Sequence, residues 1–155
     1  MEMVILIGLP GSGKTTFRNQ RLAATHVIIS KDLMRNNPRP ARRQAQLIEQ
    51  ALSAGQSVVV DNVNATLEQR AELIRCARSH GARVVGFYFE SSVQDCLSRN
   101  SAREGKARVP DVAVYSMAKI LRVPEIQEGF DELYRVRLGG PDGFVVEQGA
   151  AAHTA

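Results

Sequence analysis

The chain has 155 residues, of which 44% are hydrophobic and 23% charged, a composition typical of one soluble globular domain. No apolar run is long enough to span a membrane, and no basic, apolar leader opens the sequence, so we expect a cytoplasmic protein without membrane contact. Cys76 and Cys96 form no C-x-x-C pair, which disfavours disulfide and zinc sites and predicts two buried thiols.

The charge is distributed unevenly along the chain. Residues 1–110 carry 16 Lys and Arg against 9 Asp and Glu, whereas residues 111–155 carry 4 against 7. Sixteen of the 20 basic residues are arginine, whose planar guanidinium suits bidentate hydrogen bonding to phosphate. The charge alone is equally compatible with an anionic ligand and with solvated, arginine-rich surfaces.

Short apolar runs alternate with helical patterns, which predicts an α/β fold with a parallel sheet. The predicted strands are 3–7, 26–29, 57–60, 83–89 and 133–138, with a further strand stub at 144–146. The predicted helices are 14–24, 41–54, 66–80, 92–103 and 111–121. We expect residues 1–148 to form one domain and the Ala-rich end, residues 149–155, to be disordered.

The segment GLPGSGKT at residues 8–15 matches the pattern G-x-x-x-x-G-K-[ST]. It lies between a predicted strand and a predicted helix, where backbone N–H groups and the helix N-terminus can surround a phosphate. Lys14 would reach the β- and γ-phosphates of a nucleotide, and the Thr15 hydroxyl would hold Mg²⁺. The segment therefore predicts binding of a nucleoside triphosphate.

Two aspartates follow predicted strands, at the edge where parallel α/β sheets bind their ligands. Asp61 closes an apolar strand in the Walker B arrangement, in which the carboxylate contacts Mg²⁺ directly or through water. Asp32 can accept the proton of an attacking hydroxyl, and Arg35, on the same helical face, can hold a phosphate of the acceptor. The alternatives are a turn Asp and an N-cap Asp beside an exposed Arg.

Two groups of basic residues also favour an anionic ligand. The first group consists of Arg99, Arg103, Lys106 and Arg108. Arg99 and Arg103 are four residues apart and share a helix face, as arginines of a closing lid in a phosphoryl-transfer enzyme would; a solvated basic face is the alternative. The second group consists of Arg35, Arg39, Arg42 and Arg43. Its position near a helix N-terminus opposes the helix dipole and mildly favours a bound anion.

With these motifs the sequence resembles the kinase domain of polynucleotide 5′-hydroxyl kinases, within the nucleotide-kinase-like P-loop group. Residues 31–35 resemble the Arg-Asp-x-x-Arg element of that family, with Lys31 in place of the first Arg. Residues 61–64 resemble its Asp-Asn-Thr-Asn element, residues 96–110 its lid and residues 128–131 its closing segment.

The resemblance implies a P-loop NTPase fold: a five-stranded parallel sheet in the order 2-3-1-4-5, helices on both faces and a helical lid. It implies ATP as the phosphoryl donor, with Mg²⁺ held by Thr15 and Asp61. The implied catalytic residues are Lys14, Asp32 (general base), Arg35 (acceptor contact) and Arg103 (lid arginine). The implied nucleotide ligands are Gly8, Pro10, Gly11, Ser12, Gly13, Lys14, Thr15, Thr16 and Arg99.

The acceptor implied by the resemblance is the 5′-hydroxyl of a single-stranded or end-exposed DNA or RNA. Members of the family are often fused to a phosphatase or a ligase, so a separate phosphatase or ligase partner in nucleic-acid repair is implied as well. Two alternatives stay open from the sequence. One is a P-loop kinase for a small hydroxylated acceptor such as a sugar, nucleoside or antibiotic; the other is a nucleotide-binding switch, which would not need Asp32 and Arg35.

Overall fold

The structure is a computed structural model that describes residues 1–34, 36–105 and 108–149. Its strands are β1 (Glu2–Ile7), β2 (Val27–Ile29), β3 (Val58–Asp61), β4 (Arg83–Phe89), β5 (Glu132–Leu138) and β6 (Phe144–Gln148). They form one sheet in the order β2-β3-β1-β4-β5-β6, in which the first five strands run parallel. The predicted order 2-3-1-4-5 is confirmed, and β6, antiparallel to β5, adds a sixth strand at the edge.

Within the described residues, five α-helices accompany the sheet and lie close to their predicted positions. They are α1 (Lys14–Arg21), α2 (Pro40–Ser53), α3 (Leu67–Ser79), α4 (Val93–Ser101) and α5 (Asp111–Ile120). The capping box predicted for α3 is present: Thr66 Oγ1 accepts from Gln69 N at 3.1 Å, and Gln69 Oε1 accepts from Thr66 N at 3.3 Å. Within the described ranges, no helix has the length and apolarity needed to cross a membrane.

Two helices end at least two residues earlier than the sequence predicts, each for a local reason. α1 stops at Arg21 because the N–H groups of Leu22 and Ala23 both donate to the carbonyl of Arg18. α4 stops at Ser101 because the side chain of Asn100 pairs with the backbone of Val109 in both directions, at 2.7 and 3.0 Å, which turns the chain back.

Alternation along β1 distributes its side chains over two cores. The odd-numbered residues from Met3 to Ile7 pack beneath α2 and α3, and the even-numbered residues pack with Phe17 of α1. An apolar strand without polar interruption is what a parallel strand covered on both faces requires. A third apolar cluster, built on Leu9, Cys96 and Val114, joins α4 to α5 beside the P-loop. We call α4, α5 and the connection between them the lid, because they include residues 96–110, which resemble the lid of the kinase family.

The hairpin between β5 and β6 comes from the glycine-rich turn at residues 139–143. Gly139 N–H donates to the carbonyl of Gly143 at 3.0 Å, and both residues have positive φ, which costs glycine little. The reversal brings Phe144 edge-on against Phe17, with ring centroids 5.2 Å apart. The run at 144–146 is therefore part of a strand, β6, and this strand packs on α1 through Phe144.

Both cysteines are free thiols. Cys96 is buried as predicted, whereas the prediction for Cys76 is wrong: its side chain is only partly buried, with Sγ 3.7 Å from Oε2 of Glu49. The predicted tail falls on residues 149–155, of which 150–155 lie outside the described residues.

Candidate active site

The P-loop, residues 8–15, leads from β1 into α1. Gly11 and Gly13 have φ of 85° and 102°, in the region that favours glycine. A Cβ at Gly11 would lie 2.5 Å from the carbonyl oxygen of Cys96, so this glycine also lets the loop pack against α4. Gly13 is the N-cap residue of α1 and makes no side-chain capping bond, which leaves this helix N-terminus suited to an anion.

The ammonium group of Lys14 is folded back onto its own loop. Its Nζ donates to the carbonyls of Gly8 and Leu9 at 2.6 and 3.0 Å. Burial lowers the pKa of Lys14 from 10.5 to about 8, against an opposing effect of the nearby Asp61 carboxylate. A phosphate beside Nζ would favour the charged form of this amine.

Ser12 provides a separate indication of what the loop binds. Its Oγ is buried and has no hydrogen-bond partner among the described residues. A buried hydroxyl without a partner is costly and rare, and a phosphate oxygen in the loop would satisfy it. The positive-φ glycines, the Lys14 ammonium and this hydroxyl therefore fit a nucleoside triphosphate.

Asp61 ends β3 and is 5% exposed. Its Oδ2 accepts from Nη1 of Arg18 at 2.8 Å, so a cation from α1 compensates the buried carboxylate. Thr15 and Asp61 line the same cavity, and their hydroxyl and carboxylate oxygens are ligands of the type that Mg²⁺ prefers. Sequence reasoning missed Arg18, whose only signal was its position one helical turn after Lys14.

Asp32 lies in the short 3₁₀ helix Lys31–Met34 that follows β2. The turn is anchored by Asn62, whose Oδ1 accepts from Lys31 N at 2.9 Å and whose Nδ2 donates to Oε1 of Gln44 at 2.7 Å. The Asp32 segment is thereby tied to both β3 and α2. Neither Asn62 nor Gln44 was predicted as a site residue, although Asn62 stands directly after Asp61.

The loop after β3 supports the start of the P-loop. Asn64 adopts φ 49°, and its Nδ2 donates to the carbonyl of Leu6 at 2.7 Å. The N–H of Gly8 in turn donates to the carbonyl of Val63 at 3.1 Å. The two carboxylate-bearing strand ends and the P-loop are thus joined by hydrogen bonds.

A buried arginine, Arg70, is hydrogen-bonded to the loop after β3. Arg70 is fully buried and donates from Nη1 to the carbonyls of Asn64 and Ala65 at 3.0 and 3.1 Å. Its Nε and Nη2 donate to the two carboxylate oxygens of Glu128 at 2.8 and 3.1 Å, a bidentate pair. Both residues were missed as contributors to the site.

Two cavities meet at Asp32. The first, of about 530 Å³, lies between the P-loop, α2, α3 and α5; the second is more open, with about 1070 Å³. Thr15, Asp32 and Arg103 line both cavities. The structure therefore places a carboxylate, a hydroxyl and a guanidinium at the junction.

The two cavities differ in the chemistry of their remaining walls. In addition to the shared residues, the second cavity is lined by Arg18 and Arg43 and is cationic. The first cavity has Lys14 and Asp61 at its P-loop end. Away from the P-loop its wall is apolar and acidic, with the side chains Ile48, Glu49, Glu72, Leu73 and Met117.

The predicted basic residues take different positions. Arg103, half-buried between α4 and α5, reaches both cavities, whereas Arg99 braces the lid: its Nε donates to the carbonyl of Gly11 and its Nη2 to Ser91 Oγ at 2.5 Å. Arg39 and Arg42 are exposed. Arg35 and Lys106 lie outside the described residues.

Comparisons with known proteins agree with this architecture. A family model described as "AAA domain" matches residues 3–124. The chain is 25% identical over 139 residues to the bifunctional polynucleotide phosphatase/kinase of Schizosaccharomyces pombe, covering 87% of this chain and 33% of that protein. It is 26% identical over 145 residues to the L-seryl-tRNA(Sec) kinase of Methanococcus maripaludis, covering 83% and 56% respectively.

A solved structure shows the same fold. Kti12 of Chaetomium thermophilum, in complex with ADP-AlF3, superimposes with a TM-score of 0.69 at 16% identity, covering 87% of this chain and 88% of that one. The chain spans a third to about half the length of the two relatives named above. Because the family model matches residues 3–124, most of the sequence, the chain belongs to the AAA domain family. Its P-loop and its sheet give it the fold of P-loop kinases.

Proposed function

We propose that residues 1–148 form an ATP-dependent kinase domain that transfers the γ-phosphoryl group to the 5′-hydroxyl of a DNA or RNA strand. The observation that carries the proposal is the position of Asp32, which lines one cavity together with Lys14, Thr15 and Arg103. A carboxylate beside the phosphate-binding residues is what transfer to a hydroxyl needs and what a nucleotide switch does not.

In the proposed reaction Asp32 accepts the proton of the acceptor hydroxyl as its oxygen attacks the γ-phosphorus. The bond between that phosphorus and the β,γ-bridging oxygen breaks, and ADP leaves with the bonding electrons. Lys14 and Arg103 offset the negative charge on the transferring group. Thr15 and Asp61 would hold Mg²⁺, which supplies charge neutralisation to the β- and γ-phosphate oxygens.

The cationic second cavity supports a nucleic-acid acceptor. Arg43 lines this cavity together with Asp32, and its guanidinium group suits a phosphate of a strand whose 5′ end reaches the carboxylate. The name of one relative, a bifunctional polynucleotide phosphatase/kinase, supports the same class of acceptor. A separate phosphatase or ligase acting on the same strand ends is part of the proposal.

The test is transfer of label from γ-labelled ATP, with Mg²⁺, to an oligonucleotide with a 5′-hydroxyl. Asp32→Asn keeps the shape of the side chain but cannot accept the proton, so we expect kcat to fall about 10²–10⁴-fold with ATP affinity preserved. Asp142→Asn, at an exposed position that lines neither cavity, is the matched control. A loss below tenfold for Asp32→Asn would remove Asp32 from the role of base.

A second candidate is a kinase for a small hydroxylated acceptor, favoured by the first cavity. Glu49 and Glu72 line the part of the cavity away from the P-loop, where their charges would repel the phosphates of a strand. Apolar residues complete the wall, as in sites for compact neutral or cationic molecules. Labelled transfer to sugars or nucleosides with no transfer to an oligonucleotide would favour this candidate.

A further inference from the structure

Outside the proposed catalytic groups, a carboxylate, a thiol and an imidazole converge between α2 and α3. Glu49 of α2, Cys76 of α3 and His80 directly after α3 each place one potential ligand atom within 4.8 Å of the other two. Nε2 of His80 lies 3.0 Å from Oε1 of Glu49, and Sγ of Cys76 lies 3.7 Å from Oε2 of Glu49. The proposed phosphoryl transfer uses none of these three side chains.

The imidazole is oriented for metal binding by its other nitrogen. Nδ1 of His80 lies 3.0 Å from the carbonyl oxygen of Cys76, and because a carbonyl only accepts, Nδ1 carries the proton. In the neutral ring the lone pair of Nε2 then points toward Glu49. Such a backbone hydrogen bond to the second nitrogen is the usual support of a metal-bound histidine.

We propose that Glu49, Cys76 and His80 bind a Zn²⁺ ion that links α2 to α3. Zinc bonds of about 2.0–2.3 Å in a tetrahedral arrangement separate the ligand atoms by roughly 3.3–3.7 Å. Nε2 of His80 lies 3.0 Å from Oε1 of Glu49 and Sγ of Cys76 lies 3.7 Å from Oε2, the other oxygen of the same carboxylate. One ligand atom from each of the three residues lies within 4.8 Å of the other two, so side-chain rotations bring one carboxylate oxygen, the thiolate and the imidazole to these separations. One thiolate, one imidazole and one carboxylate form a borderline-soft set that suits Zn²⁺ and not Mg²⁺ or Ca²⁺. Water would occupy the fourth position.

The site would act on the shape of the first cavity. Glu49 and Cys76 line that cavity from its two helical walls, so an ion held between them fixes the distance between α2 and α3. Binding to the folded chain alone also stabilises it by mass action. The arrangement that competes with zinc is an ion pair between protonated His80 and Glu49.

The test uses the full chain, reduced and stripped of metal, without ATP or Mg²⁺, so its outcome is independent of kinase activity. Titration of Zn²⁺ against a chromophoric chelator should give one ion per chain and a rise in Tm. Cys76→Ser and His80→Gln should each weaken binding about tenfold or more. Co²⁺ in place of Zn²⁺ should show a thiolate charge-transfer band that Cys76→Ser abolishes.

Glu49→Gln removes the carboxylate ligand and should also weaken Zn²⁺ binding, and Glu72→Gln provides its matched control. Glu72 is one helical turn before Cys76 and carries the same charge but belongs outside the ligand set, so its neutral variant should keep the stoichiometry and the cobalt band. Binding of less than one Zn²⁺ per chain, or binding that Cys76→Ser leaves unchanged, would overturn the zinc site and leave only the ion pair. The cobalt band of the unaltered chain decides the question even if a variant fails to fold.

Discussion

At the scale of single residues, the buried amine of Lys14 links nucleotide binding to proton uptake. Burial lowers its pKa to about 8, and a triphosphate beside Nζ would raise it again. At pH 8 about half of the free chains carry a neutral Lys14, so binding of a non-hydrolysable ATP analogue should take up roughly half a proton per site. Calorimetry in two buffers with different ionisation enthalpies measures this uptake.

The direction of the effect provides its own controls. Below pH 7 Lys14 is already charged in the free protein, so the uptake through this group should disappear. Lys14→Arg cannot lose its proton and should show no uptake at pH 8. Equal uptake by the unaltered protein at pH 6.5 and pH 8 would contradict the assignment to Lys14.

Arg103 is predicted to act in the transition state. It reaches both cavities from the lid, whereas Arg108, in the same connection, is exposed. Arg103→Ala should lower kcat by about 10²-fold or more and leave the KM for ATP within a few-fold, because a lid cation acts mainly on charge that develops during transfer. Steady-state kinetics with Arg108→Ala as the control test this. A change confined to KM would identify Arg103 as a ground-state contact instead.

At the scale of elements, the site depends on the pair between Arg70 of α3 and Glu128. Arg70 is fully buried and Glu128 is 12% exposed at its side chain, so Glu128→Gln leaves a buried guanidinium without its counter-charge. We expect the free energy of unfolding to fall by about 3 kcal/mol. Guanidinium chloride unfolding followed by circular dichroism measures the change.

The control for this prediction is an ion pair at the sheet edge. Arg137 of β5 and Glu147 of β6 are both half-exposed, and Arg137→Ala should cost less than about 1 kcal/mol. Equal losses for Glu128→Gln and Arg137→Ala would show that the buried pair has no special role. A large loss of unfolding free energy for Glu128→Gln with unchanged nucleotide affinity would show that the pair stabilises the fold without shaping the nucleotide site.

At the scale of the whole molecule, salt dependence distinguishes the two acceptor classes. Each phosphate of a single strand that the protein neutralises contributes about −0.7 to the slope of log K against log salt. Arg43 lines the cationic cavity and its neighbour Arg42 is exposed, so Arg43→Ala should flatten the slope for an oligonucleotide by about 0.7 and Arg42→Ala should not. Fluorescence anisotropy over a range of salt concentrations measures the slope.

The response should not depend on base sequence, since contacts with phosphates carry no base information. A nearly flat slope for the unaltered protein would favour the small-molecule acceptor and the acidic first cavity. Equal effects of Arg42→Ala and Arg43→Ala would place the strand on the outer surface of α2 instead of in the cavity.

Features that depend on short spacing could be read from the sequence alone. The P-loop is a contiguous segment, the capping box needs only Thr66 and Gln69, and the apolar strands followed by carboxylates identify Asp32 and Asp61 as neighbours at one sheet edge. The strand order of the first five strands followed from the resemblance and from right-handed crossovers. These signals are local because a helix or a strand is determined by residues two to four positions apart.

Pairings between distant residues were decided only by the tertiary structure. Arg18 and Asp61 are 43 positions apart, and Arg70 and Glu128 are 58 apart. Periodicity shows which face of a helix is buried but not which side chain of another element packs against that face. Cys76 was therefore predicted to be buried, whereas it is only partly buried and lies beside Glu49. The sequence by itself determined that a phosphate site exists and where it begins. Only the tertiary structure decided which charged side chains surround the phosphate site. A buried charge needs a partner of opposite charge, and the fold brings such partners within 3 Å of each other from distant positions in the sequence.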